Sequence, residues 1–363
     1  MEFSTNYQDI IAQIDNVDPI EYGRTRNYLH GTVTKLSPYI SRGVISTKQV
    51  ANLVLAKGYQ PYAIEIFLKE LAWRDYFQQV WVAKGNEIDE DIKQAQTNCT
   101  NSLLPVSILH AKTGIDAMDT GIQSLLQTGY LHNHMRMYVA SIVCNVAKSH
   151  WAMPAKWMYY YLLDADWASN ALSWQWVAGS FSNKKYVANQ ENINKYTASQ
   201  QRNTFLDLPY ERFDQLATPK ELMALISFDA ETTLPVQQAI VFDKLLPTYL
   251  YTFYSIDCTW DADIEANRVL LLEPSFFKKY PVCDKSISFV LHLAKNIQNI
   301  QIFIGEFDDL EKELSASPIH FKEHPTNQHF KGIIHKREWM FEQVEGYYPS
   351  FSACSKESGC LSK

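Results

Sequence analysis

From Tyr62 to Ala83 the chain reads YAIEIFLKELAWRDYFQQVWVA, with no glycine, no proline and many strong helix formers. An uninterrupted run of that length suits a helix and not a strand, and it sets the character of everything before residue 200. Three further runs also read as helices. One covers Ile115 to Thr128 with Gly129 as its stop, and one runs from Leu131 to about His150. The last covers Pro154 to Leu163, with Pro154 where a first helical turn tolerates it. Nothing in this part alternates at period two for long, so residues 1–200 are predicted to be all-helical.

The pattern changes after Tyr196. Residues 201–240 are polar and proline-bearing and read as a linker with a short helix. Short β-type runs then appear at 248–256, 268–274, 300–306 and 319–325, and a helical run at 284–297 separates two of them. Strand–helix–strand alternation predicts a smaller, parallel α/β domain over residues 241–345. The small, polar end of the chain, residues 346–363, reads as a flexible tail.

Composition removes several classes. The formal net charge is −7, so no overall basic field draws the chain to nucleic acid. The N-terminus lacks a signal peptide's basic start and apolar core, and no apolar run approaches the ~18 residues of a membrane span. Six cysteines (99, 144, 258, 283, 354 and 360) form no C-x-x-C pair. They are expected as reduced thiols in a cytoplasmic, monomeric protein that binds no metal. Motifs of nucleotide-binding glycine loops, zinc proteases and nucleophile elbows are absent.

Four constellations carry polar chemistry. Thr34 and Ser37 put hydroxyls ahead of a helix opened by Pro38; the turn suits a pyrophosphate, or is an ordinary cap. Glu70, Trp73, Arg74 and Phe77 share one helical surface, where Glu70 and Arg74 are spaced for an ion pair and Trp73 for the core. Asn133 and Met137 share a face with Arg136 beside them. In YYYLLDADWASNALSWQWVAGS, Asp166, Asn170 and Trp174 fall at i, i+4 and i+8, with Asp164 just before. Either the two acids face water, or they point into an apolar bundle and require a polar occupant. A flavin, with hydrogen-bonding edges and an aromatic face, meets that requirement.

Taken in order, YGRTRNYLHGTVTKLSPYISRG, FLKELAWRDYF, TGIDAMDTGIQSLLQTGYLHNHMRM, LLDADWASN and WQW resemble the FAD domain of the DNA photolyase/cryptochrome family, from about Tyr22 to Tyr196. The resemblance implies an all-α FAD-binding domain in which Tyr22, Thr34, Leu36, Ser37, Arg74, Arg136, Asp164, Asp166 and Asn170 hold the cofactor. It implies Trp174 and then Trp151 as electron donors to photoexcited flavin. It also implies that Glu70, Trp73, Asn133, Met137 and Trp176 meet a flipped pyrimidine dimer while Arg26 touches the DNA backbone. Asn133 and Met137 look like the cyclobutane-dimer class, so the expected activity is blue-light repair of such dimers in DNA by electron transfer from reduced FAD.

Several positions depart from the family. The stretch DIKQAQTNCTNSLLPVSILHAK holds no Trp or Tyr where a third tryptophan is usual, and His134 stands where an arginine is expected. The α/β region follows the FAD domain instead of preceding it, which suggests a permuted, antenna-like domain; whether it binds a second chromophore stays open. A cryptochrome-like sensor without repair activity is the alternative function. A helical interaction protein without flavin is the third, opposed by the retained Arg136, Asp164, Asp166 and Asn170.

Overall fold

The computed structural model describes residues 3–314, 317–342, 344 and 346–357. Helices α1 (Tyr7–Asp15), α2 (Pro19–Thr25), α3 (Ser37–Ser41), α4 (Thr47–Leu55) and α5 (Glu65–Lys84) open the chain. After them come α6 (Val106–Leu109), α7 (Asp116–Thr128), α8 (Asn133–Ser141), α9 (Ala152–Tyr161), α10 (Trp167–Ala178) and α11 (Gln190–Thr197). The predicted helices are present with altered ends. The run from Tyr62 begins as a 3-10 turn, Pro61–Ile64, before α5. Gly129 does stop α7, as a left-handed C-cap at φ 73°. The run from Leu131 ends early: α8 stops at Ser141 and passes into a π-helical turn, Ile142–Val146. There Asn145 Nδ2 leaves the helix pattern to donate to Val177 O and Tyr186 O.

Among the described residues up to 200, helices are the regular structure apart from β1 (Leu104–Pro105), which pairs antiparallel with β2 (Leu225–Ile226). That ladder, with Leu206 and Leu222 fully buried and Phe213 nearly so, fastens the expected linker to the helical bundle. The segment is anchored to the first domain at these points, while Tyr210, Met223, Ile226 and Val236 stay exposed.

The α/β part carries β3 (Thr248–Tyr251), β4 (Asn267–Leu272), α12 (Pro274–Lys279), α13 (Asp284–Ala294), β5 (Ile300–Ile304), α14 (Phe307–Leu314), β6 (Ile319–Lys322) and β7 (Ile333–His335). The five strands are all parallel, in the order β5-β4-β3-β6-β7. The parallel α/β expectation therefore holds, with β7, α12 and α14 added. Leu250, Val269 and Leu271 face a local core under α14, whereas Tyr249, Tyr251, Leu270 and Leu272 face the core shared with the helical bundle. Burial on both faces explains why β4 is apolar and buried throughout.

The two parts meet at the carboxyl end of the sheet. Tyr254 and His324, which follow β3 and β6, stack at 4.4 Å, and Trp81 of α5 abuts both. Open α/β sheets seat ligands at such a reversal of strand order; here side chains fill it. Gly43 lets the helical domain approach, since a Cβ there would lie 2.6 Å from Tyr254 O, and its φ of +66° already disfavours other residues.

The expected flexible tail requires correction. The described residues of 337–357 strap across α5 and end in α15 (Phe351–Glu357). Met340 N donates to Asp75 Oδ2, Gln79 Nε2 to Val344 O, and Tyr76 OH to Tyr348 O. Polar residues of α5 that would otherwise sit at a surface, among them Asp75 and Gln79, are thus buried against strap backbone, while Ile66 and Val82 near its two ends stay exposed. Residues 358–363, including Cys360, lie outside the described residues.

Candidate functional site

The strongest polar cluster lies where α3, α5, α8 and the start of α10 converge. Asp166 is the N-cap of α10, with β-region backbone, and its Oδ1 accepts from Ser169 N at 3.0 Å. It therefore precedes the helical face on which Asn170 and Trp174 were expected to stand with it. Its Oδ2 is 3.1 Å from Arg74 Nη2, and its Oδ1 also accepts from Gln78 Nε2 at 2.9 Å. Asp164 Oδ2 pairs with Arg136 Nη1 at 2.9 Å. Both acids are about 95% buried, which excludes the reading in which they face water. Glu70 and Arg74 do not pair with each other: Glu70 takes Arg26 at 3.2 Å, and Arg74 takes Asp166 and the Ser41 hydroxyl.

The electrostatics of the cluster follow from burial. Burial pushes the Asp164 carboxyl up, but the charge and hydrogen bond of Arg136, helped by Arg74 and Ser37, hold it below the usual carboxylate range. Arg42 is fully buried and has no carboxylate bonded to it. It donates to Phe253 O, Asp164 O and Ala165 O at 3.0, 2.6 and 2.9 Å, and its guanidinium lies 3.7 Å from the Phe253 ring centre. Three guanidiniums (Arg42, Arg74, Arg136) against two carboxylates (Asp164, Asp166) leave one positive charge, which favours an anionic occupant. Several buried polar atoms here have no partner, among them Asp164 Oδ1, Arg74 Nε, Ser169 Oγ and Trp174 Nε1.

The remaining predicted residues divide. Tyr22 lies close enough to Glu70, Arg26, Tyr130 and Arg74 to feel their charges, and burial pushes its phenol up. In the turn before α3, Thr34 Oγ1 accepts from Leu36 N, Lys35 takes a left-handed φ of 56°, and Leu36 is buried. Ser37 opens α3 and reaches Asp164, joining the turn to the acid cluster. Asn170 Nδ2 donates to Ala155 O at 2.8 Å. Asn133 is exposed at the first position of α8, and Met137 is half-buried one turn on. His132 caps α8, its Nδ1 accepting from His134 N. Burial lowers both histidines to about 4, helped at His132 by the Arg136 charge and at His134 by His132 and Arg26.

Trp73 packs against the strap. Its ring is stacked by Phe351 of α15 at 4.0 Å and 15°, so one face is taken by the chain itself. Trp176 is 37% exposed and packs on Tyr186. Trp174 and Trp151 are both buried, and Trp151 Nε1 donates to Asp91 Oδ1 at 2.7 Å. Sequence reasoning passed over Arg42, Gln78, Asp91 and Arg337. Arg42 stands inside the quoted SPYISRG block, so a charged residue in an apolar helix end was its signal. Arg337, whose Nη1 donates to Gln78 Oε1 at 2.7 Å, had none, because the strap's path depends on tertiary packing.

Arg74, Arg136, Asp164 and Asp166 of this cluster fall within a stretch that matches known proteins. Residues 67–205 match the family model described as the FAD binding domain of DNA photolyase. The chain is 33% identical over 149 residues to a deoxyribodipyrimidine photo-lyase of Alkalihalophilus pseudofirmus, covering 40% of this chain and 31% of that protein. It is 31% identical over 179 residues to a photo-lyase of Agrobacterium fabrum, covering 46% and 37%. It is 32% identical over 170 residues to a chloroplastic/mitochondrial cryptochrome DASH of Oryza sativa subsp. japonica, covering 44% and 28%. The matches thus span about a third of the length of these relatives. Among solved structures, a Synechocystis cryptochrome aligns with TM-score 0.48 and 22% identity, over 54% of this chain and 44% of that one.

Proposed function

We propose, from the match of residues 67–205 to the FAD binding domain of DNA photolyase, that this chain is a light-driven flavoprotein that repairs cyclobutane pyrimidine dimers in DNA. The observation that carries the reading is the buried quartet of Arg74–Asp166 and Arg136–Asp164 together with its unpartnered atoms. Buried polar atoms without partners cost roughly 1–3 kcal/mol each. Asp164 Oδ1 offers an acceptor, and Arg74 Nε a donor, to a ligand edge, and the residual positive charge suits a pyrophosphate or a reduced isoalloxazine. The residues therefore fit FAD.

Bound there, FAD supplies light-driven one-electron transfer. The protein's part is to bind, orient and exclude water. Asp164 and Asp166 hold Arg136 and Arg74 at fixed positions, so their charges need no reorganisation when the ligand's charge changes. Tyr22 of α2, Thr34 and Leu36 of the turn before α3, Ser37 and Asn170 would meet the same ligand. Glu70, now paired with Arg26, is the side chain to exchange that partner for a dimer's polar edge. Asn133 and Met137, at the start of α8, would meet the dimer from the other side of Arg136.

Sensing without repair is the second reading, favoured by two observations. Phe351 covers a face of Trp73, and His134, at about 4, is neutral at pH 7 and leaves a phosphate without that charge. Blue-light treatment of a thymine-dimer oligonucleotide by the reduced, FAD-loaded protein separates the two. Light-dependent recovery of intact thymines supports repair; a yellow, photoreducible protein that leaves the dimer untouched supports sensing.

A further inference from the structure

The indole N–H of Trp151 faces a carboxylate, and that of Trp174 faces nothing. Trp151 is fully buried and donates from Nε1 to Asp91 Oδ1 at 2.7 Å. Asp91 Oδ2 accepts from Gln96 N at 2.9 Å, and Gln96 Oε1 in turn accepts from Trp151 N at 3.0 Å. The carboxylate is therefore fixed relative to the ring by two routes. His150 Nε2 stands 3.5 Å from Asp91 Oδ2 with its side chain 30% exposed, which connects the carboxylate to solvent. Trp174 is buried as well, yet its Nε1 has no hydrogen-bond partner.

These environments differ sharply for an indole that has lost one electron. Oxidation puts a positive charge on the ring and makes its N–H a strong acid. At Trp174 no hydrogen-bonded anion offsets that charge. At Trp151 a carboxylate 2.7 Å away both stabilises the charge and accepts the proton. The stretch that lacks the third aromatic donor thus begins with this very residue, Asp91. A similar pair, Trp167 Nε1 with Asp89 Oδ1 at 2.7 Å, is less suited, because Lys279 and Tyr280 already donate to that carboxylate.

We propose that Asp91 is the proton acceptor that makes Trp151 the terminal electron donor during photoreduction, a proposal resting on Trp174 and Trp151 as successive donors. Trp174 gives one electron to the light-excited flavin, the one-electron oxidant. Trp151 then returns one electron to Trp174 and becomes a radical cation. Its N–H bond breaks heterolytically, the proton forms an O–H bond on Asp91, and a neutral indole radical remains. The electron cannot return without the proton, so charge separation lasts longer. Asp91 acts through Trp151 and is a positioning and proton-accepting residue.

Laser-flash absorption on the FAD-loaded, oxidised protein tests this, because it separates the indole radical cation from the neutral radical. In the unaltered protein the cation converts to the neutral form, and the conversion slows in heavy water. In Asp91→Asn, whose fold is checked by circular dichroism, conversion falls on the order of tenfold, the factor carried by one charge-assisted hydrogen bond. Equal conversion in the two proteins overturns the proposal, as does the absence of a heavy-water effect, which needs no variant. A neutral radical that survives Trp151→Phe overturns the donor assignment itself, whereas one lost in Trp151→Phe but unchanged in Asp91→Asn overturns only the role of Asp91.

Discussion

Asp166 does three things with one carboxyl group: it caps α10, accepts from Gln78 and pairs with Arg74. Its removal therefore leaves the Arg74 guanidinium without its carboxylate, with only the Ser41 hydroxyl still bonded to it, and uncaps a helix end at the same time. Asp166→Ala should destabilise the protein by about 3–5 kcal/mol, the scale for breaking a buried pair, and chemical denaturation measures it. Arg136 and Asp164 are coupled in the same manner. A conservative change at the helix interior behaves differently. Asn170→Leu removes only the added bond to Ala155 O, a carbonyl that keeps its place in the α9 ladder, so stability should fall by about 0.5–1.5 kcal/mol, while the flavin's response to light and reductant should change strongly; an unchanged flavin spectrum under both conditions counts against Asn170 as a flavin contact.

At the scale of elements, two features set the behaviour of the site. The start of α8 holds His132 and His134 neutral, their pKa lowered from 6.5 to about 4. A histidine whose folded pKa is depressed gives stability that is present above the unfolded value and is lost as pH falls. Melting temperature should thus drop as pH is lowered from 6.5 towards 4, before the Asp164 pair is protonated. His132→Asn and His134→Asn together should flatten that window. The strap is the second feature. Phe351→Ala removes a ring stacked at 4.0 Å on Trp73, and under the repair reading it should raise affinity for dimer-containing DNA several-fold. Unchanged or weaker binding in a titration would show that the stack supports the site and does not compete for it.

For the whole molecule, the helical bundle and the sheet share one continuous core, and Arg42, Gly43, Tyr159 and Tyr254 join them. The helical part alone would expose Arg42 stripped of Phe253 and leave the strap's partners on α5 open. Intrinsic tryptophan fluorescence reports mainly on the helices, and far-ultraviolet dichroism on both parts. Their denaturation curves should coincide in one transition; two separated midpoints would show that the parts fold independently. Among the described residues, no helix is long and apolar enough to cross a membrane.

Some of this was legible in the residues alone. Helix formers without Gly or Pro dictated the bundle, because helical hydrogen bonds are local and depend on nearby side chains. Short apolar runs around a helical run indicated a parallel sheet for a different reason, since strands buried on both faces read as continuous apolar runs. Asp164, Asp166, Asn170 and Arg136 were legible as a site because two acids in an apolar context demand partners. What tertiary structure alone decided lies in long-range pairings, which leave no local period. Asp166 became a cap and not a helical position once α5 brought Arg74 and Gln78 to it. Arg42 found carbonyls more than a hundred residues away, the polar tail closed over α5, and a segment chosen for what it lacked, Trp and Tyr, delivered Asp91 to Trp151.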